Sequence, residues 1–274
     1  MGQVFTWNAV RKGAIPRIED FTTIAAYMRT RLAEEPAIES ALLFGSVVRG
    51  DFDIRSDIDC VVLYNTAQED AAMRLMQEID RTACMSYVPI NFTPCDTTIA
   101  STRLHHLGSS FIRHLQASID AGGLVKGDLL SHLAPTVSVN EEIESYIKIK
   151  MYNMMESFAQ SASFTAERSA SFYKKMLEAS THVARKMLIY EGTLEGDSKK
   201  QVRKRYAETM PLEMSNLFSL LLNADARYTE EVERQSVTPN ETRYPEALNE
   251  LHKQVPVLIQ FLRLNIVRLN EAPT

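Results

Sequence analysis

Apolar residues spaced at helical intervals from Ile18 to about Leu32 predict a helix. The pattern then changes to a compact run, Ala41-Leu42-Leu43-Phe44, which reads as a strand ending at Gly45-Ser46. After a polar, glycine-containing connection, Asp57 to Tyr64 supplies a second strand. Asn65 is placed to cap a helix beginning at Thr66, whose apolar face is Ala72, Leu75, Met76 and Ile79. A third strand is expected over Tyr87 to Phe92, at the sheet edge or locally irregular because of Pro89. A helix near Ser110–Ile119 ends at the Gly122-Gly123 break.

Beyond that break the period is helical throughout. Glu141–Phe158 and Ala166–Tyr190 carry apolar residues on successive turns, and Gly192 terminates the second. Shorter helices are expected over Lys199–Tyr206 and Leu212–Leu222, with a last one over parts of Pro245–Leu269, interrupted or bent at Pro256. The expected architecture is an α/β domain with a small mixed sheet over residues 1–137, then a mainly helical bundle over residues 138–274. The Met151, Met154, Met155, Phe158 and Phe172, Met176, Met187 series are read as helical core.

A composition of 45% hydrophobic and 24% charged residues is that of an ordinary globular chain. No apolar stretch approaches the roughly 18 residues of a membrane span, and no signal sequence opens the chain. A cytoplasmic location without membrane association is the expectation. Cys60, Cys84 and Cys95 lack metal-site spacing and disulfide density. The net charge of -5 argues against a broad DNA-binding surface and leaves room for a local nucleotide pocket.

The informative stretch is Leu43 to Cys60. One strand delivers Gly45-Ser46 into a turn, and the returning strand carries Asp57 and Asp59. Alternate strand residues share a face, so these two carboxylates can jointly hold Mg2+ while Ile58 and Cys60 face the packing side. Gly45 permits close backbone approach, and Ser46 with nearby amides can grip phosphate oxygens. Arg49 and Ser56, in the connecting loop, are further candidates for phosphate contact or for support of the turn. A Walker loop is disfavoured because no Lys-Ser/Thr ending follows the glycine.

Phe44-Gly45-Ser46, ten intervening residues and Asp57-Ile58-Asp59-Cys60 together resemble the DNA polymerase beta-like nucleotidyltransferase superfamily, over roughly residues 35–95. The resemblance implies Mg2+ as cofactor and ATP or another NTP as co-substrate. It also implies a third metal-binding carboxylate on the next strand. Here the candidates are Pro89 and Asn91, so Asn91 is expected to meet the metal through its carbonyl or a water, while Asp96 either caps a following helix or bends back toward the pocket. Glu144 and Lys148, one helical turn apart, are similar to the base and phosphate-contacting lysine of kanamycin nucleotidyltransferases; an exposed Glu-Lys pair is the alternative.

The expected function is transfer of a nucleoside monophosphate from an NTP to a hydroxyl of a small molecule, with an aminoglycoside-like antibiotic suggested by the resemblance. Two alternatives stand: a protein or tRNA nucleotidyltransferase of a toxin-antitoxin system, and a nucleotide-binding regulatory or interaction protein without turnover. The Lys199–Arg205 basic run would favour the RNA version if it bordered the cleft, and is otherwise a solvated helix face. A homodimer is left open.

Overall fold

The computed structural model describes residues 2–98, 108–132, 138–196 and 198–271. Two compact units are present: Ile15–Val139, and Asn140–Thr274 together with Met1–Ala14.

The first unit is built on a four-stranded mixed sheet in the order β3-β2-β1-β4. Its strands are β1 Ile38–Phe44, β2 Ile58–Tyr64, β3 Ile90–Asp96 and β4 Leu124–Lys126. β1 pairs antiparallel with both β2 and β4, whereas β2 and β3 run parallel. Alternation along the central strands feeds two cores. Ile58, Cys60 and Val62 join Ala41 and Leu43 beneath the helices Ile18–Glu34 and Glu69–Cys84. Val61 and Leu63 join Leu42 and Phe44 on the opposite face, against Leu115 of the helix Gly108–Asp120. Each fully buried aliphatic side chain contributes about 1.5–3 kcal/mol, so the two inner strands are the fixed part of this unit.

Several boundaries differ from the sequence reading. β3 begins at Ile90 rather than Tyr87, because Tyr87 lies in a turn with φ 58° and its N–H bonds back to the Cys84 carbonyl. Once paired with β2, the strand continues to Asp96 and accommodates Pro94, as an edge position allows. The helix expected from Thr66 opens as a single 3-10 turn, Thr66–Gln68, with the Asn65 side chain accepting from the Ala67 N–H at 3.0 Å. β4 went unpredicted, being three residues long and too short to display a period. It follows Gly123, where a Cβ would lie 2.2 Å from the Leu43 carbonyl oxygen.

The second unit is helical: α1 Trp7–Arg11, α6 Val139–Gln160, α7 Ala166–Tyr190, α8 Lys199–Thr209, α9 Leu212–Val237, α10 Arg243–Lys253 and α11 Val255–Asn270, where α2 to α5 denote Ile18–Glu34, Ser46–Arg49, Glu69–Cys84 and Gly108–Asp120 of the first unit. α9 runs fifteen residues past the expected Leu222, since Tyr228, Val232 and Gln235 continue its buried face. The expected last helix is two helices broken at Gln254, which places Pro256 in the first turn of α11, where its missing N–H needs no partner. Tyr206, Phe218 and Phe261 pack together, and the Tyr206 hydroxyl donates to Asn265 at 2.9 Å. On α6 the expected core series fails in part: Met154 is buried, but Met155 is exposed beside Ile149 and Tyr152.

The first residues are held in this unit by a closed ring of hydrogen bonds. The Phe5 N–H donates to the Tyr228 hydroxyl at 3.0 Å, the Tyr228 and Tyr244 hydroxyls are 2.6 Å apart, and the Tyr244 hydroxyl donates to the Phe5 carbonyl at 2.6 Å. Trp7 packs on Tyr244 with ring centroids 5.8 Å apart.

Candidate functional site

β2 sets the site. Asp57 immediately precedes the strand and Asp59 is its second residue, so both side chains emerge on the face opposite Ile58 and Cys60. Asp57 is buried to 3% exposure, and Asp59 is partly buried. Burial pushes the thiol of Cys60 up, with a smaller contribution from the Asp59 carboxylate, so that thiol stays neutral.

The neighbouring strands supply the rest by register. Asp59 pairs with Phe44 on one side, which brings the next residue, Gly45, against its carboxylate. A Cβ on Gly45 would stand 2.6 Å from Asp59 Oδ2, and Gly45 has φ 83°, so this position excludes a side chain twice over. Ser46 then opens the four-residue helix α3, which Gly50 ends in the left-handed region. The Ser46 hydroxyl is buried and has no hydrogen-bond partner among the described residues. On the other side Asp59 pairs with Asn91 of β3. The Asn91 amide donates to Asp57 Oδ2 at 3.1 Å and to Asp59 Oδ1 at 3.3 Å.

The loop between α3 and β2 is organised around Asp53. Its carboxylate accepts from the Arg55 N–H at 2.9 Å, its carbonyl from the Ser56 N–H at 2.9 Å, and its own N–H donates to the Ser56 hydroxyl at 3.0 Å. Ser56 is thus fully buried with its oxygen engaged in the loop. Arg49 pairs with Asp51 at 3.2 Å. Arg55, absent from the sequence-derived candidates, is 1% exposed. Its guanidinium is held out of water two residues before Asp57 in the chain. Its only sequence signal is an arginine inside an otherwise acidic loop, which says nothing of burial.

Gly45, Ser46, Asp57, Asp59 and Asn91 are therefore brought together. Asp96 is not among them: it pairs with Tyr64 at the far end of β2, about 16 Å along the strand from Asn91. There it accepts from the Thr66 hydroxyl at 2.5 Å and the Thr98 N–H at 2.8 Å, bonds that hold its carboxyl below the usual range. The helix it was expected to cap would fall outside the described residues. Glu144 and Lys148 belong to α6 in the helical unit, where they pair with each other as a partly exposed couple.

Residues 28–100 match the family model described as Polymerase beta, Nucleotidyltransferase. The matched stretch carries β1, β2, β3 and all five of the assembled residues, and leaves the helical unit outside it. No curated protein matches the chain. Among the described residues no group of three or more His, Cys, Asp or Glu is placed to hold a metal.

The donor set nevertheless fits a hard divalent cation with a phosphate beside it. Two carboxylates share one face at the start of β2, a phosphate-sized acceptor would satisfy the Ser46 hydroxyl, and the missing side chain at Gly45 leaves the backbone approachable. Basic residues of α8 have local partners: Arg205 bonds the Thr193 carbonyl and Glu195, Arg203 bonds Asn223, and Lys204 lies 3.8 Å from Glu208. No described helix is long and apolar enough to cross a membrane.

Proposed function

We propose that the chain is a divalent-metal-dependent nucleotidyltransferase that moves a nucleoside monophosphate from ATP or another NTP onto a hydroxyl of a small acceptor, of which a cationic aminoglycoside-like molecule is one. The observation that carries this reading is the buried, unpartnered Ser46 hydroxyl beside Gly45 and the Asp57/Asp59 pair. Asp57 and Asp59 would hold Mg2+, which when bound supplies charge compensation and alignment for the triphosphate. Ser46 and the first amides of α3 bind phosphate oxygens; the partly buried Arg49–Asp51 pair and Ser56 keep the loop in shape behind them. The acceptor oxygen bonds to the α-phosphorus as the bond to the β-phosphate oxygen breaks and pyrophosphate leaves with the electron pair. Base and phosphate-contacting cation are the roles that the kanamycin nucleotidyltransferase resemblance implies for Glu144 and Lys148, which pair with each other in the helical unit.

Asn91 in place of an acid favours one competing reading, nucleotide binding without turnover. A screen of nucleotides and acceptors read by product mass and pyrophosphate release separates the two. Asp57→Asn and Asp59→Asn are each expected to lower turnover by on the order of 100-fold or more, since the triphosphate loses both charge compensation and alignment. Unchanged turnover would remove the pair from the chemistry, and nucleotide binding with no acceptor-dependent pyrophosphate would favour the regulatory reading.

A further inference from the structure

Phe44 is the register partner of Asp59, and opposed residues of an antiparallel pair project from the same face with Cβ atoms about 4.5–5.5 Å apart. The last side chain of β1 therefore stands next to the acid, on the face that also carries Val61 and Leu63. Helix α5 lies over this face, and the part of it that meets Phe44 is aromatic. The Phe111 ring is set at 84° to Phe44 with centroids 5.3 Å apart, the His114 ring at 87° and 5.8 Å, and the two rings of α5 are 6.3 Å from each other. Phe44 is buried at 7% exposure, whereas Phe111 and His114 are only partly buried. A ring perpendicular to its neighbour meets it over one face or one edge, so Phe44 does not cover Phe111 on both sides.

We infer that Phe111, seated on Phe44 and flanked by His114, is the platform on which the base of the bound nucleotide stacks. The occupant follows from what lies beside the platform. Triphosphate oxygens belong at the Gly45 turn and at the metal held by Asp57 and Asp59; Phe44 directly precedes the one and opposes Asp59 in the other. A nucleoside joined to those phosphates lays its base on the neighbouring apolar surface, and the surface here is aromatic. Stacking needs only a π face, so the platform takes purines and pyrimidines and detects the presence of a base more than its identity. The inference rests on the nucleotide-transfer reading and adds to it the residue that holds the nucleoside.

The test is calorimetric titration of the full chain, with Mn2+ present, against the α,β-methylene analogues of ATP, GTP, CTP and UTP and against inorganic tripolyphosphate, which has the phosphates without a base. The wild type is expected to bind at least one analogue about tenfold or more tighter than tripolyphosphate, the weight of one base on one ring. Phe111→Leu keeps an apolar side chain and removes the ring; it is expected to lose that advantage with its tripolyphosphate affinity unchanged. Phe111→Trp is expected to keep the advantage, and its added emission to be quenched by the analogue and not by tripolyphosphate. Equal loss for both ligands in Phe111→Leu makes Phe111 a support of the fold and overturns the inference. An advantage that survives removal of the ring also overturns it, placing the base elsewhere and leaving the platform to the acceptor. Tripolyphosphate binding as tight as that of every analogue overturns it while the phosphate site stands. If Phe111→Leu does not fold, the wild-type comparison and the Phe111→Trp emission decide, and an emission that no analogue quenches counts against the inference. A wild type that binds none of these ligands overturns the nucleotide reading and this inference with it.

Discussion

The Ser46 hydroxyl is buried without a hydrogen-bond partner among the described residues, a state that costs about 1–3 kcal/mol in a folded protein. A residue retained at such a cost for ligand contact behaves unlike one retained for packing. Ser46→Ala is therefore expected to leave the ligand-free melting temperature unchanged or higher, while weakening triphosphate affinity by about tenfold or more, the weight of a charge-assisted hydrogen bond. Calorimetry of both chains, with and without nucleotide, checks the two halves; a lower melting temperature with unchanged affinity would make Ser46 a structural residue. The shared face of Asp57 and Asp59 was legible in the sequence because a strand repeats every two residues, and nothing in the packing overrides that. Ser56 was legible only as a polar loop residue. Its hydroxyl is taken by the Asp53 N–H through a local turn that no periodicity announces. Arg55 was invisible for the same reason, since the burial of a loop cation depends on what folds over it.

Among the elements, the turn from β1 into α3 carries the tightest constraint. Gly45 combines φ 83° and ψ -155° with an absent Cβ 2.6 Å from Asp59 Oδ2. That backbone region is open to glycine almost alone, and forcing another residue into it costs about 1–3 kcal/mol. Gly45→Ala is thus expected to lower stability by that amount in urea titration and to displace the Asp59 carboxylate, with loss of divalent-ion binding beyond what the stability change explains. A variant with full ion affinity would show that the close approach is incidental. Element identity was readable wherever a period ran long enough, as in β2 and α7. Boundaries were not. β3 was displaced by a turn after α4, α9 was cut short where its polar residues thicken, and the interruption expected at Pro256 falls two residues earlier, at Gln254, because a proline in a first turn and one in a helix interior look alike in one dimension.

For the whole molecule, the long-range feature with the clearest consequence is the ring joining Phe5, Tyr228 and Tyr244. Contacts across more than 220 residues leave no trace in local pattern, so the packing of the first residues against α9 and α10 could not be read from the sequence. Trp7 is the chain's single tryptophan and packs on Tyr244, so its emission reports on the helical unit. Tyr244→Phe deprives the Phe5 carbonyl of its donor, and the midpoint of the Trp7 emission change in denaturant is expected to fall by an amount equivalent to about 1–3 kcal/mol. A midpoint within error of the wild type would show that the ring does not anchor this segment.

The same ring fixes an order of events during synthesis. Phe5 and Trp7 are made before any residue of the Ile15–Val139 unit, and their partners Tyr228 and Tyr244 long after it. At ribosomal rates of about 5–20 residues per second, the nascent α/β unit has on the order of ten seconds to form its sheet before the helical unit has the parts to close. Asp57 and Asp59 would then be in register on the growing chain while the segment preceding them still awaits its partners.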